Sequence, residues 1–270
     1  MKVGLGSYGC AWEIGVPGYP PARPMDVFEF LERAAELGVR LVQICDNLPL
    51  TGLSEAQLDR LFARGGELGL EIELGTVGLD PENLRFYLGL VRRCGGRFLR
   101  VVIDRAGDEP SAEEAVARLR IVLPEFAAAG VRVAIENHDR FRSRTLAWIV
   151  EQLGVRNAGI CLDTVNSFGA LEGPESVVRV LGAYTLSLHV KDFRIRRVSH
   201  RMGFEIEGCA AGQGQLDVPW LLGELAGCGN SFNAVIETWV SSAGSLDETI
   251  AREREFTEEG VQYMRGLLAK

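Results

Sequence analysis

The chain has 270 residues and a formal net charge of −8, long enough for one large core and too acidic for nucleic acid or an anionic membrane to be the main partner. Its first stretch, MKVGLGSYGCAWEIG, carries one lysine and no long apolar run, so no signal peptide is expected, and no segment approaches the roughly 18 apolar residues of a membrane-spanning helix. The six scattered cysteines, with no CxxC, read as reduced thiols of a cytoplasmic protein.

Short runs of β character alternate with amphipathic helical runs, eight times over. In chain order the strands read KVGLGSY, RLVQICD, LEIELGT, RFLRVVID, VRVAIEN, AGICLD, LSLHVK and FNAVIET. Helical runs lead into them through glycine, as in ERAAELGVR, ARGGELGLE, FAAAGVR, VEQLGVR and LAGCGNS, because glycine closes a helix at low steric cost. The stripes in LERAAELGV and IVLPEFAAAG are core faces. Strand starts fall about 30 residues apart, the size of one βα unit, which predicts a single-domain (β/α)8 TIM barrel over residues 1–270. A doubly wound open sheet, the competing α/β architecture, would not need eight evenly spaced strands. One unit breaks the rhythm. The insert at 192–217, DFRIRRVSHRMGFEIEGCAAGQGQLD, is expected as a long irregular loop over the active-site rim.

Strand five ends awkwardly. VRVAI suits a dry core, yet Glu136, Asn137, His138 and Asp139 follow at once, and burying such groups without partners costs several kcal/mol. Strand six ends in Asp163, strand seven carries His189, and strand eight ends in Glu237, at gaps of 27, 26 and 48 residues. In a barrel these four consecutive strands bring all four residues to one rim. Three crowded carboxylates repel unless a cation or shared protons neutralise them. Three carboxylates and an imidazole suit one divalent ion per chain, Mn²⁺, Mg²⁺ or Co²⁺.

The segments AIENHDRF, CLDTVNSFG, LHVKDF, GQGQLD and VIETW resemble the sugar phosphate isomerase/epimerase family, the xylose-isomerase-like TIM barrels. The resemblance runs over essentially the whole chain. It implies the metal set Glu136, Asp163, His189 and Glu237, with Glu136 and Glu237 also moving protons. The ion would acidify a C–H beside a carbonyl and stabilise the resulting enediolate. Reprotonation would then give isomerisation or epimerisation; loss of CO₂ or a hydroxyl would give a lyase.

Ketose 3-epimerases carry a His where this chain has Asn166, a Glu where it has Arg142 and an Arg where it has Ile195. The ligand set is kept and the substrate shell differs. A metal-dependent sugar or sugar-acid isomerase/epimerase is the first expectation, and a decarboxylase or dehydratase acting on an oxo-sugar or oxo-sugar acid is the alternative. AP endonucleases share the fold, but their three-metal site needs many histidines and this chain has three. A non-catalytic sugar-binding relative would have no use for an intact quartet.

His138, Asn166 and Lys191 are candidate substrate contacts. So are Arg194 and Arg196, in a basic cluster that would read an anionic group, and Trp12, which would wall the pocket beside Trp239. Each has a plainer alternative: a satisfied buried His138, a Lys191–Asp192 pair, a solvated or subunit-contact arginine loop, core packing for the tryptophans. The expected partner is a small sugar or sugar acid, with a homo-oligomer left open.

Overall fold

The structure, a computed structural model, describes residues 1–269. Eight parallel strands close into a barrel in the order β1-β10-β7-β6-β5-β4-β3-β2. They are β1 Val3–Gly6, β2 Leu41–Ile44, β3 Glu71–Val77, β4 Phe98–Val102, β5 Arg132–Glu136, β6 Ala158–Asp163, β7 Thr185–Val190 and β10 Ala234–Ile236. Six lie within the runs expected from the sequence, and β3 and β7 each extend one residue beyond theirs, at Val77 and Thr185.

The helices are α1 Ala11–Ile14, α2 Val27–Glu36, α3 Glu55–Glu67, α4 Pro81–Arg93, α5 Ala112–Ala128, α6 Ser143–Leu153, α7 Pro174–Leu181, α8 Val218–Gly227 and α9 Leu246–Leu268. Reciprocal capping boxes start α2 at Asp26, α3 at Ser54, α5 at Ser111 and α9 at Ser245, satisfying amide donors that a helix start leaves open. At the other end, Gly38 and Gly130 take φ values of +69° and +67° after α2 and α5, the left-handed turn that lets the chain double back into a strand. The apolar faces of helices and strands form one continuous core around the barrel, with Phe30, Leu58, Leu119, Phe126 and Leu146 fully buried.

The insert departs from the expected irregular loop. Asp192–Arg197 (β8) and Phe204–Cys209 (β9) pair as an antiparallel ribbon, with Ile195 opposite Ile206 and Arg196 opposite Glu205. Alternating FRIRR and FEIEG is a strand pattern with charged cross-strand partners. Behind the ribbon the Asp192 carboxylate accepts hydrogen bonds from the N–H groups of Gly212, Gly214 and Leu216 at 2.8–3.0 Å. The GQGQ turn is thus wrapped around a side chain of its own loop. No helix among the described residues is long and apolar enough to cross a membrane, and all six cysteines are free.

Candidate active site

Register brings the rim together. Asp163 on β6 is level with His189 on β7, and His189 is level with Val235 on β10. Glu136 closes β5 one strand away, and Glu237 follows the last residue of β10. All four side chains are buried. Oxygens of Glu136, Glu237 and Asp163 lie 3.3, 3.5 and 3.6 Å from His189 Nδ1. Gly6 makes room for this: a Cβ there would meet Glu237 Cγ and Oε1 at 2.7 Å.

The ring of His189 is oriented from behind. Its Nε2 lies 2.6 Å from Gln43 Oε1, and the Gln43 amide in turn donates to Glu73 at 3.0 Å. With Nε2–H donated to Gln43, the Nδ1 lone pair faces three carboxylates. His189 Nδ1, Asp163 Oδ2 and both oxygens of Glu237 have no hydrogen-bond partner among the described residues. Burial disfavours a charged ring, yet Cys161, Glu237 and Glu136 outweigh it and push the imidazole well above its ordinary pKa. The cup therefore demands positive charge at Nδ1, from a proton or a metal ion. The ligand atoms of Asp163, His189 and Glu237 fall within 4.8 Å of one another, a convergence of the kind that a shared ion requires. The residues fit a divalent cation.

Sequence reasoning missed the residue that most shapes this rim. Arg100, in the middle of β4, is buried with its Nε donating to Glu136 and its Nη1 to Asp46 at 2.6 Å. Tyr8 donates its hydroxyl to the same aspartate at 2.8 Å. A cation in the buried run FLRVV was the available signal, since a buried guanidinium requires a carboxylate partner. Burial alone would raise the Glu136 carboxyl; Arg100 and then His189 outweigh it and hold it below the usual carboxylate range. Asp163 is depressed in the same way, with Lys191 as the chief counter to burial.

The two glutamates differ. Glu136 is gripped by Arg100 at one oxygen and by Asn166 Nδ2 at the other, 2.8 Å away. Glu237 has Lys191 Nζ at 2.9 Å and His189 Nδ1 at 3.5 Å, neither placed as a hydrogen-bond partner.

A cavity of about 430 Å³ reaches the quartet at Glu136, and Tyr8, Arg100, His138, Asn166 and Lys191 are on its wall together with Arg105 and Arg140. The candidate contacts His138, Asn166 and Lys191 therefore face it. Arg194, Arg196 and Trp12 do not. Arg194 donates to the Gln213 carbonyl at 2.8 Å, and Arg196 pairs with Glu205 and Glu207 across the ribbon. Trp12 donates its Nε1–H to the Val240 carbonyl at 2.9 Å and meets Tyr19 edge-on. Ribbon pairing, invisible while the insert read as a loop, consumes the arginines that seemed available for an anion. The cations on the cavity wall come from β4, the loop after it, the loop after β5 and Lys191.

Residues 31–267 match the sequence profile of xylose isomerase-like TIM barrels. The chain is 33% identical over 266 residues to the 3-oxo-isoapionate decarboxylase of Pectobacterium atrosepticum, covering 98% of this chain and 95% of that protein. Its fold superposes on the D-psicose 3-epimerase of Clostridium cellulolyticum H10 with a TM-score of 0.73, at 19% identity over 99% of both chains. For an L-ribulose 3-epimerase the TM-score is 0.70, at 17% identity over 98% of this chain and 93% of that one. The two structures speak for the fold alone. The profile and the decarboxylase relative, each spanning most of the chain, show that it belongs to the xylose isomerase-like TIM barrel family.

Proposed function

We propose that the protein is a divalent-metal-dependent lyase that removes CO₂ from a 3-oxo sugar acid. The observation that carries this reading is the inequality of Glu136 and Glu237. Epimerisation by two carboxylates needs each to take or give a proton on its own face of the substrate. Glu136 has both oxygens engaged, by Arg100 and Asn166, and is held as an anion. A decarboxylation needs one proton, delivered after CO₂ has left. Asn166 stands where the 3-epimerases have a histidine, and the relative at 33% identity is named a decarboxylase.

Glu136, Asp163, His189 and Glu237 would hold one Mn²⁺, Mg²⁺ or Co²⁺. When bound, that ion supplies positive charge for the ketone oxygen on which negative charge builds. The chain's own residues provide the rest. The cavity wall carries Arg100, Arg105, Arg140 and Lys191 beside five carboxylates, so an acid would be met by individual cations and not by a positive field. The bond from the carboxylate carbon to C2 breaks, its electron pair passes into the C2–C3–O3 enolate, and CO₂ departs. Glu237, whose oxygens have no hydrogen-bond partner among the described residues, would relay a proton from water to C2. Positioned proton transfer of this kind contributes about 10² to 10⁴ in rate.

Sugar isomerisation or epimerisation is the second reading, favoured by the placement of Glu136 and Glu237 at 3.3 and 3.5 Å from the same His189 nitrogen. The two readings separate in one assay. With Mn²⁺ present, 3-oxo-isoapionate and 3-oxohexonates are offered beside neutral ketoses, and CO₂, epimers and solvent deuterium uptake are followed together. CO₂ from an acid without epimer from a ketose is expected. Epimer formation from a neutral ketose, with no CO₂ from any 3-oxo acid, would overturn the lyase reading.

A further inference from the structure

Lys191 Nζ lies 2.8 Å from Asp163 Oδ2 and 2.9 Å from Glu237 Oε2. These are the same two oxygens that converge on His189 Nδ1, at 3.6 and 3.5 Å. We propose that Lys191 is the built-in counter-cation of this cup: its ammonium and a divalent ion compete for one pair of carboxylate oxygens. Lys191 thereby keeps the cup closed when metal is scarce and weakens the affinity for the ion. The inference rests on the metal reading above and adds what sets that affinity.

Three features support it. The charges come first: with His189 neutral, as an ion's ligand is, Asp46, Glu136, Asp163 and Glu237 set four negative charges against those of Arg100 and Lys191, two short of neutral. Arg100 serves Asp46 and Glu136, so with His189 neutral Lys191 is the cation paired with Asp163 and Glu237. Removing it leaves two buried carboxylates to repel each other.

The second feature is the anchoring of the lysine backbone. Its N–H donates to Thr164 Oγ1 at 2.9 Å, and its carbonyl accepts from the same hydroxyl at 2.6 Å. The ammonium is aimed from a fixed point at the end of β7. The third is a place to go. Lys191 lines the cavity, and the Tyr8 ring has its centroid 5.9 Å from Nζ. An aromatic face at that distance attracts an ammonium, so a seated ion can turn the side chain outward without leaving it unpartnered.

The test is a calorimetric Mn²⁺ titration of the chelator-treated full chain, with melting curves in parallel. Wild type should take up about one ion. Lys191→Met should bind Mn²⁺ at least about tenfold more tightly, because a repelling charge beside the ion is gone. Without metal the same variant should melt below wild type, and saturating Mn²⁺ should bring it back level. Lys191→Arg keeps the charge and should stay within about threefold of wild type.

Equal or weaker binding by Lys191→Met would overturn the proposal, since the ammonium would then be orienting the ligands. If Lys191→Met does not fold without metal, Lys191→Gln repeats the comparison. Variants that fold only with Mn²⁺ support the proposal, and variants that stay unfolded at saturating Mn²⁺ refute it. A wild type that binds no Mn²⁺ removes the metal reading and this inference together.

Discussion

An arginine keeps its charge at any accessible pH, so the Arg100 guanidinium holds Glu136 and Asp46 in place permanently. Breaking a buried pair of this kind leaves an uncompensated charge, at about 3–5 kcal/mol. Arg100→Met should lower the urea stability by that order, and adding Glu136→Gln should return part of the loss. No recovery in the double variant would mean that Arg100 stabilises by packing alone. Arg100 was not legible beforehand because its partners lie 36 and 54 residues away, and sequence periodicity does not report which interior residue meets which. Far from the rim, Glu253 on α9 accepts from the N–H groups of Trp12 and Glu13. Burial pushes its carboxyl up to about 8, with the charge of Glu13 adding to that and the amide donors opposing it. The folded state therefore binds this proton more tightly than the unfolded chain, whose glutamate titrates near about 4.3. Its contribution is full below that pH and is lost as pH rises towards 8, at up to about 1.4 kcal/mol per unit. Urea midpoints at pH 5 and pH 8 should therefore fall further apart in wild type than in Glu253→Gln; equal differences in the two proteins would show that Glu253 does not titrate in this window.

Among elements, the strands and the ribbon were legible to different degrees. The barrel strands announced themselves through β-branched runs between glycine-closed helices, since a parallel sheet covered by helices is apolar on its outer face. Their inner face was harder to read. Gln43, Glu73, Arg100 and His189 alternate with apolar residues in β2, β3, β4 and β7, and their contacts inside the barrel depend on closure of the sheet. The ribbon was misread for another reason. FRIRR and FEIEG are short and arginine-rich, and the charges drew attention away from the alternation that pairs Arg196 with Glu205. What anchors the ribbon is Asp192, whose carboxylate takes N–H groups from Phe193, Gly212, Gly214 and Leu216. Gly214 sits so close that a Cβ would meet Asp192 Oδ1 at 2.1 Å. Asp192→Asn turns an amide donor toward these donors and should cost on the order of 3 kcal/mol, the scale of a hydrogen-bonded charge lost from a buried site. Amide exchange at Gly212 and Gly214 should accelerate in the variant. Unchanged protection there would show that the turn is held without the carboxylate.

At the scale of the whole molecule, barrel closure turns a sequence pattern into one cup of buried candidate ligands. Four residues spread from 136 to 237 meet because β5, β6, β7 and β10 are consecutive neighbours around the barrel, and this convergence was readable from the strand ends alone. The two cations that balance part of the site's charge were not, because their function depends on the closed cup. With His189 neutral the site is two charges short of neutral, which one divalent ion would supply, so such an ion should stabilise the entire fold. Binding to the folded state alone contributes about 2.7 kcal/mol at a hundredfold excess over Kd, and for a chain near this length each kcal/mol shifts Tm by roughly 2–4 °C. Mn²⁺ at that excess should raise the Tm of chelator-treated protein by about 5–10 °C. His189→Ala deletes the one nitrogen ligand and leaves the carboxylates in place, so the shift should nearly vanish while the barrel, monitored by circular dichroism, persists. A His189→Ala protein that keeps the full Mn²⁺ shift would place the ion elsewhere, because Nδ1 stands within 3.6 Å of an oxygen of each of the three carboxylates.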